Sequence, residues 1–190
     1  ANIIVTNIPQ YYDQNSDTYN TRLGEGYFLR AFAYFELVKQ FGGVPLVLSY
    51  SNNVETNFGR NSAEEVYKQI ISDLGEAYKL LPETASEGTG RITKYAAAHY
   101  LAKAHLFRAS EINEEWNSQY VADDLDAVIT YGTEVFNKHP LCKNYIDLWN
   151  YTEPNGANEK VSEVVLAAQF SNDESTWGRF GNQMHLRSEE

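Results

Sequence analysis

The amino-acid sequence predicts a mostly α-helical protein in which tetratricopeptide-like antiparallel helix pairs form an α–α superhelix, followed by the start of an irregular, partly β region. Three observations indicate this fold class. Apolar residues recur at helical spacing in four segments, a proline follows every second segment, and turn-forming residues replace the helical pattern after Pro140. The predicted helices are 23–41, 62–81, 93–109 and 121–138. We expect a helical scaffold over 1–140 and the beginning of a second, loop-rich region over 141–190.

The chain opens directly in an apolar run, with Ile3, Ile4, Val5 and Ile8 and no polar capping residue before them. This pattern predicts that the sequence starts inside a helix. At the other end, residues 181–190 show no closing element. We therefore interpret the chain as an internal piece of a longer protein, whose targeting signals would lie outside it.

The first predicted helix, 23–41, is rich in aromatic residues. Its polar residues gather on one narrow side, which predicts burial on more than one side, with Phe32 and Phe35 in the core. Those polar residues are Glu25, Glu36, Lys39 and Gln40. Arg30 falls away from them, which predicts a desolvated guanidinium paired with a carboxylate or with helix-end carbonyls. The Gly42–Gly43 pair ends the helix where a positive φ is needed.

The second and third predicted helices have clear end signals. Ser62 and Glu65 form a capping box at the start of the second helix, and Pro82 ends its apolar pattern. Thr93 can cap the third helix. That helix has a face of mostly small residues, which lets helix axes approach closely. The face consists of Ala97, Ala98, Leu101 and Ala104.

The fourth predicted helix, 121–138, has charges that suit the helix dipole at both ends, acidic in the first turn and basic in the last. These charged residues are Asp123, Asp124, Asp126 and Lys138. Its apolar stripe consists of Val121, Leu125, Val128, Ile129, Val135 and Phe136. Beyond it, the segment SEVVLAAQF at 162–170 predicts a buried strand.

Composition and motifs argue against several classes of function. The formal charge is −11, with 26 acidic and 15 basic residues and no basic stripe, so a nucleic acid is not an expected partner. Cys142 is the single cysteine, and no apolar stretch reaches the roughly 18 residues of a membrane span. The sequence lacks a phosphate-binding loop, a nucleophile elbow and a zinc-protease motif. His99 and His105 face different sides of one helix. We therefore expect no catalytic residue, no cofactor and no metal site.

The three tryptophans lie in or next to predicted loops. We interpret Trp149 as a core anchor and leave Trp116 open between a core role and a surface role. Trp177 follows the predicted strand, and its neighbours include Asn172, Asp173 and Arg179. A broad ring among short polar groups suits a sugar, because the ring covers the apolar face of a pyranose and the polar groups bind its hydroxyls. The alternative is that Trp177 packs against a further domain.

Five blocks of the sequence occur in an order that resembles one known family. They are EGYFLRAFAYFELVKQFGGVPLV, GRNSAEEVYKQIISDLGEAYKLLP, GRITKYAAAHYLAKAHLF, NYIDLW and SEVVLAAQF. Together they resemble the SusD/RagB family of Bacteroidetes outer-membrane lipoproteins over nearly the whole chain. The resemblance implies that 1–140 is a tetratricopeptide-like scaffold and that 141–190 begins a ligand-binding region, here truncated.

The same resemblance implies a function without chemistry. Members of this family sit on the extracellular face of the outer membrane, held by a lipid anchor, and capture an oligosaccharide or in some cases a peptide. A partner TonB-dependent transporter, of the SusC-like kind, then imports the ligand. The anchor would lie outside this chain, since Cys142 is not at a mature N-terminus. The resemblance also implies that the 190-residue piece alone binds its ligand weakly or not at all.

Three alternatives to glycan capture remain open at the level of the sequence. Peptide capture by the same kind of complex is one, because nothing in the sequence separates a peptide groove from a sugar platform. A tetratricopeptide scaffold that binds only proteins is another, and it predicts a concave helical groove as the main site. A helical glycosidase is disfavoured because no pair of carboxylates stands out for the reaction.

Overall fold

The computed structural model describes residues 1–50, 57–85, 90–149 and 161–167. Its α-helices are α1 (Asn2–Tyr11), α2 (Asp17–Phe41), α3 (Ala63–Leu80), α4 (Lys94–Arg108), α5 (Glu114–Asn117) and α6 (Val121–Lys138). Short 3₁₀ turns occupy Glu111–Asn113 and Tyr145–Trp149. The described residues contain no strand. The prediction of a mostly α-helical chain is confirmed.

The helix α2 starts six residues before its predicted beginning, because it is capped at Ser16. The side chain of Ser16 accepts a hydrogen bond from the backbone N–H of Tyr19 at 3.1 Å. The added turns, 17–22, consist mainly of polar residues, so their sequence shows no apolar periodicity. The preceding helix α1 packs against α2, and the side chain of Ile4 lies against Gly26, where a Cβ would crowd it.

The two predicted helix pairs are confirmed, and both are antiparallel. Gly24 lies beside Leu81 while Arg30 bonds to Asp73, so α2 and α3 run in opposite directions. The second pair, α4 with α6, is fixed in the same sense by contacts at both of its ends, between residues 108 and 124 and between residues 95 and 138. Because α3 also packs against α4, the two pairs form one continuous array.

The core lies between the pairs and combines aromatic rings with small residues. Phe35 is 1% exposed, and its ring meets the edges of Tyr100 and Phe107 at centroid distances of 6.2 and 5.3 Å. On α4, Ala97 and Ala104 are fully buried against this cluster, as the small-residue face predicts. These short side chains allow α4 to approach its neighbours closely.

Two expectations about α2 were wrong. Phe32 is 37% exposed and is not a core residue, although its ring touches Tyr100 at 5.4 Å. Glu25, expected on the polar side, is buried between Arg22 at 3.1 Å and Arg91 at 3.4 Å. Most of the contacts of α2 are with α3 and α1, whereas α4 covers the Phe32 ring only in part, through Tyr100. Because aromatic residues occur on both faces of α2, the sequence does not show which face is buried.

The prediction that the apolar stripe of α6 is its buried face is also largely wrong. Leu125, Ile129 and Phe136 are exposed, whereas Val135 is buried. Among the described residues, α6 packs mainly against α4, so only one of its faces is covered. The inward face is built around Asp124, which has no exposed surface.

Contacts of Asn61 join the start and the end of the connection between α2 and α3, and we call these contacts the Asn61 clasp. Gly42 has φ +65°, and a Cβ at Gly43 would overlap the carbonyl oxygen of Asn61. The Asn61 N–H donates to the Val44 carbonyl at 3.2 Å, and the Asn61 side chain accepts from the Leu46 N–H at 2.9 Å. The two glycines thus end α2 and let the chain cross itself closely.

The predicted strand, 162–170, is not found over 162–167, the part of it that the structure describes. A turn closed by a 3.1 Å hydrogen bond from the Val164 N–H to the Val161 carbonyl occupies this segment instead. A strand needs a neighbouring strand to satisfy its backbone, and the described residues offer none. The segment instead bonds to the end of α6, where Ser162 Oγ donates to the Pro140 carbonyl at 3.0 Å.

Candidate functional site

The loop residues expected to contact a ligand, Trp177, Asn172, Asp173 and Arg179, lie outside the described residues. The other two tryptophans lie within them. Trp116 is on α5, where its half-buried ring packs near Tyr67 at 6.0 Å and Tyr120 at 6.5 Å. Trp149 ends the second 3₁₀ turn. Trp116 is therefore part of the edge of the core, whereas the prediction that Trp149 is a core anchor stays a prediction.

Arg30 is buried and paired, as the sequence predicts. Its guanidinium donates two hydrogen bonds to Asp73, at 2.7 and 2.8 Å, and a third to the Leu48 carbonyl at 2.9 Å. These bonds to the carboxylate raise the pKa of Arg30, an effect that desolvation opposes. Gln69 also donates to Asp73 at 2.8 Å. With its donors already used, Arg30 holds the first helix pair together and offers little to a ligand.

A second buried ion pair, between Arg108 and Asp124, was missed from the sequence. Arg108 donates to Asp124 at 2.9 and 2.6 Å, and His105 Nδ1 lies 2.6 Å from the same carboxylate. From the sequence, Asp124 was interpreted only as a charge that suits the helix dipole. Its spacing with Val128, Tyr131 and Val135 places it on the inward face of α6, and this was the signal that could have found it. His105 is half-buried beside this carboxylate.

The described residues hold no group of three or more histidine, cysteine or acidic side chains that could bind a metal ion. Among these residues there is also no helix long and apolar enough to cross a membrane. Two surface grooves of similar volume lie one at each end of the second helix pair.

The first, which we call the apolar groove, has a volume of about 590 Å³ and lies near the C-terminal ends of α2 and α4. Its walls include Leu106, Phe107, Ile112, Trp116 and Leu125. Three of its polar side chains are already engaged. Lys39 pairs with Glu36 at 2.7 Å, and both Ser110 and Asn113 donate to the Phe107 carbonyl. This groove therefore offers few free partners for sugar hydroxyls.

The second groove is at the opposite end, where α4 begins, α6 ends and the segment 161–167 returns to the helices. We call it the junction groove, and its volume is about 600 Å³. Its walls include Glu83, Arg91, Tyr95, Lys138, His139 and Ser162. It lies where the predicted scaffold meets the predicted second region. Its position and its polar walls make it the candidate site within the described residues.

His139 has a defined hydrogen-bonding state in the junction groove. Its Nδ1 lies 2.8 Å from the Ser162 carbonyl, which can only accept, so Nδ1 must carry a proton. In the neutral ring Nε2 is then the acceptor. The imidazole also meets the ring of the buried Tyr95 edge to face at 5.4 Å, which fixes its orientation.

The junction groove contains cations in a chain that is acidic overall. Arg91, Lys138 and Glu83 are the charged side chains among its described lining residues, and the chain has a net charge of −11. The Lys138 ammonium is 4.0 Å from Glu83, and both side chains are more than half exposed. Arg91 is held more firmly, at 3.4 Å from the buried Glu25. Each cation of the groove therefore lies near a carboxylate, and the Lys138 pair is the more exposed of the two.

Comparison with known proteins identifies relatives of the whole helical scaffold. A family model described as SusD-like, starch-binding associating with outer membrane, matches residues 1–106. The SusD-like protein P38 of Formosa agariphila is 30% identical over 182 residues, which cover 92% of this chain and 32% of that protein.

Solved structures agree with the sequence match. A crystal structure with xylogluco-oligosaccharide is similar at TM-score 0.72 and 28% identity, over 90% of this chain and 32% of that one. A laminarin-binding SusD-like protein is similar at TM-score 0.61 and 27% identity, over 80% of this chain and 32% of that one. The chain spans about a third of the length of these relatives. The family model matches more than half of its residues, and the chain belongs to the SusD-like family.

Proposed function

We propose that the whole protein, of which this chain is about one third of a typical relative's length, captures a glycan at the cell surface without chemically changing it. The observation that supports the proposal is the similarity of the entire helical scaffold to a structure with xylogluco-oligosaccharide and to a laminarin-binding protein. The resemblance further supports import through a partner SusC-like TonB-dependent transporter. A lipid anchor outside this chain would hold the protein on the extracellular face of the outer membrane.

A role in binding rather than in catalysis is supported by the state of the buried carboxylates. Asp73 and Asp124 are 2% and 0% exposed, and each accepts two hydrogen bonds from an arginine. A carboxylate in such a pair has no free position for a substrate and does not act as a general acid or base. These groups therefore stabilise the scaffold.

We infer that the ligand surface combines residues of the loop-rich region with the junction groove. Trp177 would supply the ring, and Asn172, Asp173 and Arg179 the polar groups for hydroxyls. The junction groove is formed by the end of α6 and by 161–167, so it lies next to this loop along the chain. In this arrangement the helices hold the ligand surface in place, and the junction groove forms part of the edge of that surface.

The test uses the whole protein and a panel of starch, xyloglucan and laminarin, measured by isothermal titration and by assays for released sugar. We expect binding to at least one polysaccharide, with no hydrolysis. Trp177→Ala should abolish that binding and leave the melting temperature unchanged. A lowered melting temperature with intact binding would show that Trp177 packs against another domain. Hydrolysis of a bound polysaccharide would contradict the non-catalytic proposal.

Capture of a peptide, or binding of a protein, is the second candidate function, and the apolar groove favours it. Its exposed Leu106 and Ile112 suit apolar side chains better than sugars, because its polar side chains are already bonded within the protein. Ile112→Lys would leave glycan binding intact if the first candidate is correct. Loss of glycan binding in this variant would assign the sugar to the apolar groove instead.

A further inference from the structure

We propose that the junction groove is a subsite for an acidic sugar, one that carries a carboxylate or a sulfate, and that Lys138 and His139 bind this anionic group. The inference rests on the proposed function, because it specifies the class of glycan that the protein captures. It does not depend on the loop around Trp177.

The junction groove contains two permanent cations in a chain that has 15 basic and 26 acidic residues. Arg91 is paired with the buried Glu25, so Lys138, whose ion pair with Glu83 is exposed, is the cation that a ligand anion can reach. An acidic polymer would be repelled by most of this acidic surface and could bind at Lys138.

The Lys138 ammonium is available to a ligand. It lies 4.0 Å from Glu83, with both side chains more than half exposed, so this ion pair is weak and water-screened. A ligand anion can take the place of the Glu83 carboxylate without leaving a buried charge unpaired. The ammonium also lies 5.9 Å from the centre of the Tyr95 ring, which keeps it at the wall of the groove.

His139 offers the ligand a second polar group. Its Nδ1–H is held by the Ser162 carbonyl at 2.8 Å, and no described residue bonds to Nε2. That nitrogen accepts a hydrogen bond from a sugar hydroxyl when the ring is neutral, and donates one to an anion when the ring is protonated. Lys138 and His139 are adjacent in sequence and line the same groove, so one sugar unit can meet both groups.

The shape of the groove fits a sugar as well. A volume of about 600 Å³ is within the range of small-molecule sites. The lining combines the polar Thr93 and Ser162 with the apolar Val161, Val164 and Val165. A pyranose also has both kinds of surface, with hydroxyls at its edge and C–H groups on its faces.

The experiment compares acidic and neutral polysaccharides on the whole protein by isothermal titration. The probes are polygalacturonate, alginate and chondroitin sulfate as acidic polymers, and starch, xyloglucan and laminarin as neutral ones. We expect at least one acidic polymer to bind about tenfold or more tightly than every neutral one, since charge-assisted hydrogen bonds are the stronger kind. The uronate and sulfate probes then distinguish the two anionic groups.

Two variants assign the binding to the groove. Lys138→Gln removes the charge, and His139→Asn retains a donor for the Ser162 carbonyl while removing Nε2. Each should weaken binding of the acidic polymer by about tenfold or more. Lys79→Gln is the matched control, because Lys79 is an exposed lysine on α3 outside the groove, and it should change nothing. Melting temperatures of all three variants should equal that of the unmodified protein.

The outcomes separate the inference from the proposed function. If neutral glycans bind and no acidic one does, the inference is wrong and the proposed function stands. If an acidic polymer binds equally well to the Lys138 and His139 variants, the junction groove is not its site. If no polysaccharide binds, both proposals are wrong.

Discussion

Arg108 and Asp124 join the two helices of the second pair through two hydrogen bonds, at 2.9 and 2.6 Å, and the carboxylate has no exposed surface. Asp124 also lies 2.6 Å from His105, so one buried carboxylate is shared by two side chains of α4. Arg30 and Asp73 form the same kind of ion pair between α2 and α3. Each helix pair thus contains one buried arginine–aspartate bond.

Asp124→Ala should destabilise the protein by about 3–5 kcal/mol, because it leaves the Arg108 guanidinium buried without its partner. Urea unfolding of the whole protein, followed by far-ultraviolet circular dichroism, measures the loss. Asp126→Ala is the control, since Asp126 is exposed on the same helix and should stay within about 0.5 kcal/mol. Replacing both partners, Arg108→Met with Asp124→Leu, should recover much of the loss. Equal losses in the single and double variants would show that the charge is not the cause.

Phe35→Ala should cost about 3–5 kcal/mol, because Phe35 is 1% exposed and its removal leaves a cavity. Phe32→Ala should cost well under half as much, since Phe32 is 37% exposed and its site is open to solvent. The two variants delete the same atoms from one helix, which makes each the control for the other. A similar loss of unfolding free energy in both would mean that Phe32 is covered in the whole protein.

Gly43→Ala should destabilise the protein by about 1–3 kcal/mol, because the added Cβ overlaps the Asn61 carbonyl, a backbone atom that cannot move aside. Gly75→Ala should have the opposite sign and stabilise α3 by about 0.5–1 kcal/mol. Nothing lies within 4 Å of a Cβ there, and alanine is the better helix former. Melting temperatures of the two variants check the signs. A stabilising Gly43→Ala would disprove the close crossing.

The capping box of α3 should make stability depend on pH. The Glu65 side chain accepts a hydrogen bond from the Ser62 N–H at 2.8 Å, and this bond lowers the pKa of Glu65 below its ordinary value of 4.5. A carboxyl group with a lowered pKa contributes stability above its ordinary pKa and loses it as the pH falls through the folded value. Glu65→Gln should therefore lower the melting temperature at pH 7, and its effect should diminish as the pH falls below 4.5. An effect of Glu65→Gln that stays the same as the pH is lowered would contradict the mechanism.

Local signals in the sequence were enough to predict the helices and their ends. Ser62 and Glu65 cap α3, and Thr93 caps α4, as the sequence predicts. Arg30 was expected to find a carboxylate, but Asp73 could not be named because 43 residues separate the two and only the packing of α2 on α3 joins them. The start of α2 was misplaced because its first turns are polar and depend on the Ser16 cap.

Which faces are covered could not be predicted in the same way. Phe32 and Phe136 satisfy helical periodicity as well as any core residue, yet both are exposed, because periodicity does not reveal how many neighbours a helix has. The junction groove was missed for a related reason. Tyr95, His139 and Ser162 are distant in the sequence, and only the return of 161–167 to the end of α6 brings them together. The loop around Trp177 remains a prediction.

The Asn61 clasp has a consequence for how this chain can be changed by evolution or by engineering. Because Asn61 bonds to Val44 and to Leu46, the two ends of the connection between α2 and α3 are held together whatever lies between them. Each doubling of the length between those ends adds only about 0.6 kcal/mol of closure entropy. Because these hydrogen bonds join residues at the two ends of the connection, the place where α2 ends and the place where α3 begins are held together locally, and this link does not depend on the length of chain between them.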